Sequence, residues 1–308
     1  MKLAFSTPTI RSQPDPFIFE DEGRYYLYVT AGRGVEAYSA DSPFGLWSFE
    51  GIVATVPQGR NYWAPCILRR GGDYFLYVSC DTPGRSQCLH VLSGRAPLGP
   101  FGDARRLFDA FSIDAHVVET SAGLFLWYAI DNLAPDNGRI GTRVYVDRLL
   151  DPATPARRPH EAVVPTFDEE IFQRNRLGDG RDWHTIEGPF WFREGAWQYV
   201  MYSGGCFEND TYHIGYAAAK SDEPDLTKVV FEKHTADGAF DPVMTRNAVE
   251  EGVGHHSVIK LGGEYYAVYH ARDLGPVPAD APADRRTARI CRLRVADGII
   301  TAEREPLE

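Results

Sequence analysis

The sequence predicts an all-β fold, a five-bladed β-propeller that forms a single domain over residues 1–308. Three observations predict it. Aromatic residues make up 13% of the chain, and Gly and Pro number 29 and 21; short aromatic strands broken by turns have this composition, and long helices do not. One pattern recurs five times at a spacing suited to propeller blades. The second strand of each recurrence is apolar on consecutive residues, as expected of a strand covered on both faces by neighbouring blades.

The first recurrence opens at Asp15-Pro16-Phe17-Ile18-Phe19, turns at Gly23 and continues as Tyr25-Tyr26-Leu27-Tyr28-Val29. The second opens at Ala64-Pro65-Cys66-Ile67-Leu68 and turns at Gly72 into Tyr74-Phe75-Leu76-Tyr77. The third opens at Asp114-Ala115-His116-Val117-Val118 and turns at Gly123 into Phe125-Leu126-Trp127-Tyr128. The fourth opens at Glu187-Gly188-Pro189-Phe190-Trp191 and turns at Gly195 into Trp197; the fifth opens at His255-His256-Ser257-Val258-Ile259 and turns at Gly263 into Tyr265-Tyr266-Ala267-Val268-Tyr269. An aromatic residue follows each turn glycine by two positions. The later repeats are longer and carry insertions. Residues 165–184 contain Asp168-Glu169-Glu170-Ile171-Phe172, read as one short helix, and residues 273–285 read as an exposed loop.

Composition excludes several functions. The formal net charge is −11, so the chain as a whole repels phosphate backbones and anionic bilayers; neither nucleic acid nor a membrane is an expected partner. No apolar run reaches the roughly 18 residues of a membrane helix. Cys66, Cys80, Cys88, Cys206 and Cys291 contain no Cys-x-x-Cys pair and read as buried reduced thiols. The first residues lack the apolar stretch of a signal peptide, so a cytoplasmic location is the expectation. There is no Gly-x-Ser-x-Gly elbow and no phosphate loop.

The first strand of a propeller blade lines the central channel, so the opening residues Asp15, Ala64, Asp114, Glu187 and His255 are expected to converge. Three carboxylates and an imidazole in one ring cost stability, and Ala64 indicates that the slot needs no charge for folding. Carboxyl groups so placed suit general acid–base chemistry, in which one is held protonated and another ionised, and glycoside hydrolysis uses such a pair. Trp63 and Phe207 supply rings at the same face for sugar C–H surfaces, with Trp183, Phe190 and Trp191 nearby; blade packing is the better reading for Trp191 and Trp197.

At this point the residues resemble a known family. Asp15-Pro16-Phe17, Tyr62-Trp63-Ala64-Pro65, Ser112-Ile113-Asp114, Ile186-Glu187-Gly188-Pro189, Met201-Tyr202-Ser203-Gly204-Gly205 and Gly252-Val253-Gly254-His255-His256-Ser257 resemble, in order, the motifs of glycoside hydrolase family 43. The resemblance runs from about residue 12 to 295. It implies a five-bladed propeller and an inverting glycosidase acting on arabinofuranosides and xylosides. It implies Asp15 as general base, Glu187 as general acid, and Asp114 as the residue that orients the acid and raises its pKa. It also implies Arg286, with Arg289 as competitor, as the substrate-contacting arginine, and His255 below the sugar, where some members hold a calcium ion through waters; no cofactor is required for the chemistry. Cys66 stands where Asp is frequent, and Ala115 where Pro is common.

The expectation is thus an exo-acting hydrolase that removes terminal pentoses from short oligosaccharides, a small carbohydrate being its partner. α-L-Arabinofuranose is preferred and β-xylose comes next, because many relatives with strong xylosidase activity carry a second β-sandwich domain, for which 308 residues leave no room. A fructoside-cleaving propeller is one alternative, but it begins Asn-Asp-Pro and carries Glu-Cys at the acid, against Pro14-Asp15-Pro16 and Glu187-Gly188 here. A catalytically silent sugar-binding propeller is another; it predicts a lost carboxylate, and all three are present.

Overall fold

Each recurrence folds as an antiparallel meander, since its two apolar strands are joined by a glycine free to take a positive φ. Gly23, Gly72, Gly123, Gly195 and Gly263 all do so. The structure, a computed structural model, describes residues 1–6, 12–277 and 283–304.

The first meander comprises Phe17–Asp21, Arg24–Val29, Val35–Ala40 and Leu46–Ala54. The second comprises Arg60–Arg70, Asp73–Thr82, Arg85–Gly94 and Gly102–Arg106. The third comprises Ile113–Thr120, Gly123–Asn132 and Gly141–Asp151, with the short His160–Val163 strand on its outer side. The fourth comprises Trp183–Glu194, Trp197–Gly204, His213–Lys220 and Glu232–Lys233. The fifth comprises Glu250–Leu261, Glu264–Asp273, Thr287–Ala296 and Ile299–Glu303. The protein is all-β, its described helices being two 3-10 turns of three residues each.

The leading strands touch in sequence, first to second, second to third, third to fourth, fourth to fifth, and fifth back to first. The core follows the same circuit in five apolar clusters, each filled from two neighbouring meanders. Tyr28 and Val35 pack with Leu76 and Val78, Tyr77 and Val91 with Leu126 and Tyr128, and Phe125 and Trp127 with Val200 and Tyr202. Phe192 and Tyr199 pack with Tyr265 and Ala267, and Leu27 and Tyr38 with Val268 and Ile290. Every second strand is therefore covered on both faces, which is the reason for its consecutive apolar residues. The N-terminal segment joins the ends of the circuit: Ala4–Phe5 pairs in parallel with Leu46–Trp47, and the Leu3 N–H donates to the Ala288 carbonyl. All five cysteines are buried and free, and Cys66 is core.

The leading strands share a break at one level. Register shifts interrupt them at Trp63/Cys66, Ile113/His116, Glu187/Phe190 and Gly254/His256. At that level Asp15, Ala64, Asp114 and His255 have φ of 53°, 47°, 62° and 39°, left-handed values that side chains other than glycine rarely take. A bulge of this kind re-aims a side chain. In the fourth meander the left-handed residue is Gly188, φ 58°. Glu187 therefore precedes the shared slot instead of occupying it, a correction of one residue to the alignment read from the sequence.

The insertion at 165–184 forms only a 3-10 turn, Asp168–Glu170, and a short strand, Ile171–Gln173. Glu170 is fully buried, accepts the Thr166 and Phe167 N–H groups and pairs with Lys233. The buried ion pair anchors this short helical turn to the fourth meander, in which Lys233 lies. Of the expected loop at 273–285, residues 278–282 lie outside the described residues.

Candidate active site

The bulges bring the leading residues to one pocket of about 260 Å³, lined by Asp15, Thr30, Trp63, Ile113, Asp114, Glu187, Phe207, His255 and Arg286. Of the residues named from the sequence, Asp15, Asp114, Glu187, Trp63, Phe207, His255 and Arg286 are in this set, and Trp183, Phe190 and Trp191 are not. Trp63 keeps 39% of its surface exposed, and the Arg286 guanidinium lies 4.9 Å from the Phe207 ring centroid. Arg289 is absent from the pocket: it is 2% exposed and paired with Asp273 and Glu250. Trp191 donates its indole N–H to Gln198, a packing role.

Asp15 is held by several groups at once. The Thr30 hydroxyl donates to Oδ2 at 2.5 Å, Arg286 donates to Oδ1 at 3.2 Å, and the Asp15 backbone N–H donates to His270 Nδ1 at 3.0 Å. His255 Nδ1 lies 3.6 Å from Asp15 Oδ1 and 3.9 Å from Asp114 Oδ2. Asp114 Oδ2 accepts the Gly188 N–H at 2.9 Å, a bond that links the third bulge to the fourth. The Tyr212 hydroxyl donates to Glu187 Oε1 at 2.7 Å.

These surroundings separate the carboxyl groups electrically. Burial by itself pushes Asp15 up, but the Arg286 guanidinium, then His255 and His270, outweigh it and hold Asp15 well below the usual carboxylate range. Glu187 is pushed up to about 7, chiefly by burial; the Tyr212 hydrogen bond opposes the rise, the Asp15 charge adds to it and Arg286 opposes it. Asp114 is also raised, by burial first and then by Glu187 and Asp15. The ligand atoms of Asp114, Glu187 and His255 lie within 4.8 Å of one another, so Asp114 and Glu187 titrate as a pair that retains a proton near neutral pH. The rise at Glu187 thus comes first from burial, with like-charge repulsion from Asp15, whereas the family resemblance ascribed it to Asp114. Burial holds the His255 imidazole below its ordinary pKa, which favours its neutral form.

The sequence reading missed four partners. Thr30 directly follows the second strand of the first meander and Ser203 is next to last in that of the fourth, and Ser203 accepts the His255 N–H at 2.7 Å; the end of each Tyr-rich strand was the available signal. His270 and Tyr212 had no signal, because their rings stack 5.7 Å apart only through tertiary packing. Tyr212 occupies space that a Cβ on Gly254 would fill, 1.9 Å from Tyr212 Cε1.

Among the described residues, the donor atoms that could face an ion here are those of Asp114, Glu187 and His255, which lie within 4.8 Å of one another. Calcium takes six to eight oxygen ligands, and His255 offers nitrogen. The cavity under His255, whose walls include Asp15, Asp114, Phe17, Pro65, Phe190 and His256, is about 10 Å³, room for one water. His256 lies there with both ring nitrogens unpartnered, as is Nδ1 of His116, which suits a water-sized polar guest.

The comparisons agree with this geometry. The family model for Glycosyl hydrolases family 43 matches residues 5–300. The chain is 26% identical over 283 residues to the extracellular exo-alpha-(1->5)-L-arabinofuranosidase ArbA of Cellvibrio japonicus (strain Ueda107), a match covering 83% of this chain and 78% of that protein. A crystal structure of a thermostable family-43 glycoside hydrolase superposes with a TM-score of 0.77 at 27% identity, covering 96% of this chain and 95% of that one. The alpha-L-arabinofuranosidase from Lactobacillus brevis shares the fold, with a TM-score of 0.74 at 21% identity over 94% of this chain and 93% of that one. With the family matched along almost the whole chain, and the acidic pocket formed by the residues that carry its motifs, the protein belongs to glycosyl hydrolases family 43 and is an inverting glycosidase.

Proposed function

We propose that the protein removes terminal pentose residues from short oligosaccharides, α-L-arabinofuranose in first place and β-xylose in second. The reading is carried by one observation: an ionised Asp15 and a protonatable Glu187 line one pocket that also holds Arg286 and Trp63. In this mechanism Asp15 takes a proton from a water, the water oxygen attacks the anomeric carbon, and Glu187 gives its proton to the departing glycosidic oxygen. Arg286 keeps Asp15 ionised and lowers its basicity, so the Asp15 orientation set by Thr30 and His270 matters as much as its charge. Asp114 orients the acid through Gly188 and shares the pair's proton with it. Trp63 and Phe207 flank the sugar, and His255 forms its floor.

Support for the pentose comes from the names of relatives: the Cellvibrio japonicus protein is an exo-arabinofuranosidase. Support for exo action comes from the shape, a pocket bounded by side chains of all five meanders. We also read the five meanders as the blades of one five-bladed propeller and one domain, which accounts for the circuit of contacts between leading strands and the N-terminal segment bridging first and fifth. Hydrolysis of nitrophenyl α-L-arabinofuranoside, β-D-xyloside, β-D-galactoside and β-D-fructofuranoside tests the substrate, with the anomer first released followed by NMR. Release from the arabinofuranoside with inversion is the expected result; preference for the galactoside or fructoside overturns the pentose assignment.

A further inference from the structure

Beside the pocket, the insertion at 165–184 presents an arginine with an unusual environment. Two of its three arginines are neutralised locally, Arg174 by Asp182 and Arg181 by Asp179, each at 2.7 Å. Arg176 has no hydrogen bond or ion pair to any described residue. Its guanidinium lies instead over two rings, 4.7 Å from the Phe172 centroid and 5.0 Å from that of Trp183, and the residue is exposed. Aromatic faces hold a guanidinium by cation–π attraction while leaving its in-plane N–H groups free. The place is continuous with the pocket: Phe172 lies 6.2 Å from the ring of Phe207, which lines it.

The side of the pocket is set by the strand beneath the guanidinium. Trp183 and Glu187 lie four residues apart on the leading strand of the fourth meander, and Arg176 covers the Trp183 ring, so Arg176 lies toward the acid. The acid protonates the leaving oxygen, so the leaving sugar extends on that side. Burial pushes the Asp131 carboxyl up to about 6, with Arg176 opposing, and it forms no ion pair with the guanidinium.

We propose that Arg176, held between Phe172 and Trp183, is the anchor of a leaving-group subsite that prefers a sugar bearing a carboxylate, a uronic acid. This rests on the reading of Glu187 as the acid. A guanidinium fork meets a carboxylate with two parallel N–H···O bonds, a match that a neutral pentose cannot make. The overall charge of −11 governs approach from a distance and is screened beyond about 8 Å at physiological salt; the contact is governed by the local cation.

The test compares arabinofuranosyl-galacturonic acid with its methyl ester, which removes the charge and keeps the sugar. In the wild-type chain kcat/KM for the acid should exceed that for the ester about tenfold, and in Arg176→Ala and Arg176→Gln the ratio should fall to near one. Arg294→Ala, in the fifth meander, outside the pocket lining and paired with Glu303, should leave the ratio unchanged. Equal rates on acid and ester in the wild type, or a ratio that survives both Arg176 substitutions, overturns the proposal. Titration of free galacturonate by NMR reads the subsite without turnover. Saturable binding that both substitutions abolish supports the subsite even where no arabinofuranoside is cleaved, an outcome that would count against the pentose reading alone. No binding to the wild type overturns the subsite.

Discussion

Replacing Tyr212 by Phe removes one hydroxyl and leaves the ring that stacks on His270. The lost bond, 2.7 Å from Tyr212 Oη to Glu187 Oε1, favours the ionised carboxylate. Burial raises the Tyr212 pKa well above its ordinary value, so the hydroxyl keeps its proton throughout the working range and donates. A hydrogen bond to a charged group is worth about 1.5–3 kcal/mol, and one pKa unit corresponds to about 1.4 kcal/mol. The substitution should therefore raise the apparent pKa of the acid by about 1–2 units from its value of about 7. The sign follows from the protonation state required: Glu187 must carry a proton, so activity falls as pH rises through its pKa, and a higher pKa moves that fall to higher pH. The assay is kcat/KM against pH on an arabinose disaccharide, whose poor leaving group needs the acid; this profile reports the free enzyme. The wild-type alkaline limb should fall near pH 7, and the Tyr212→Phe limb about 1–2 units higher, at a lower plateau because the acid is less well oriented. The acid side should stay flat to low pH in both, since Asp15 is held ionised there. A limb that does not move, or moves down, would refute the role given to this hydrogen bond. A purely structural tyrosine would lower the plateau and leave the limb in place.

Glu187→Gln should cut turnover of natural disaccharides by about 10²–10⁴-fold and cost far less on nitrophenyl glycosides, whose leaving groups need little protonation; near wild-type turnover of a disaccharide would remove Glu187 from the role. Asp15→Asn should cripple all substrates alike, and added azide should restore turnover with a glycosyl azide of inverted configuration, which NMR identifies; a sugar trapped covalently on Asp15 would contradict inversion. Gly254→Ala should lower both stability and activity, because its Cβ would lie 1.9 Å from Tyr212 Cε1; overpacking of this kind costs about 1–3 kcal/mol, read as a shift in the denaturation midpoint, and an unchanged midpoint would mean the ring is free to move.

The repeated Gly-x-aromatic hairpins were legible in the sequence because turn geometry and strand burial are local demands. A positive φ calls for Gly at the turn, and a strand covered on both faces calls for an unbroken apolar run. The all-β class, the five recurrences and the membership of the pocket follow from those demands, as does the choice of Asp15, Asp114 and Glu187. The sequence left Arg286 and Arg289 as competitors three residues apart, and only burial against Glu250 and Asp273 separates them. It placed Glu187 in the slot of Asp15, since both open a recurrence of the same pattern, whereas backbone conformation gives that slot to Gly188. Tyr212, His270 and Arg176 carried no local signal at all. Their roles depend on which groups lie a few ångströms away across meanders far apart in the chain. Desolvation and Coulomb energy at such distances are properties of the packed structure, and that packing decides which carboxyl holds the proton.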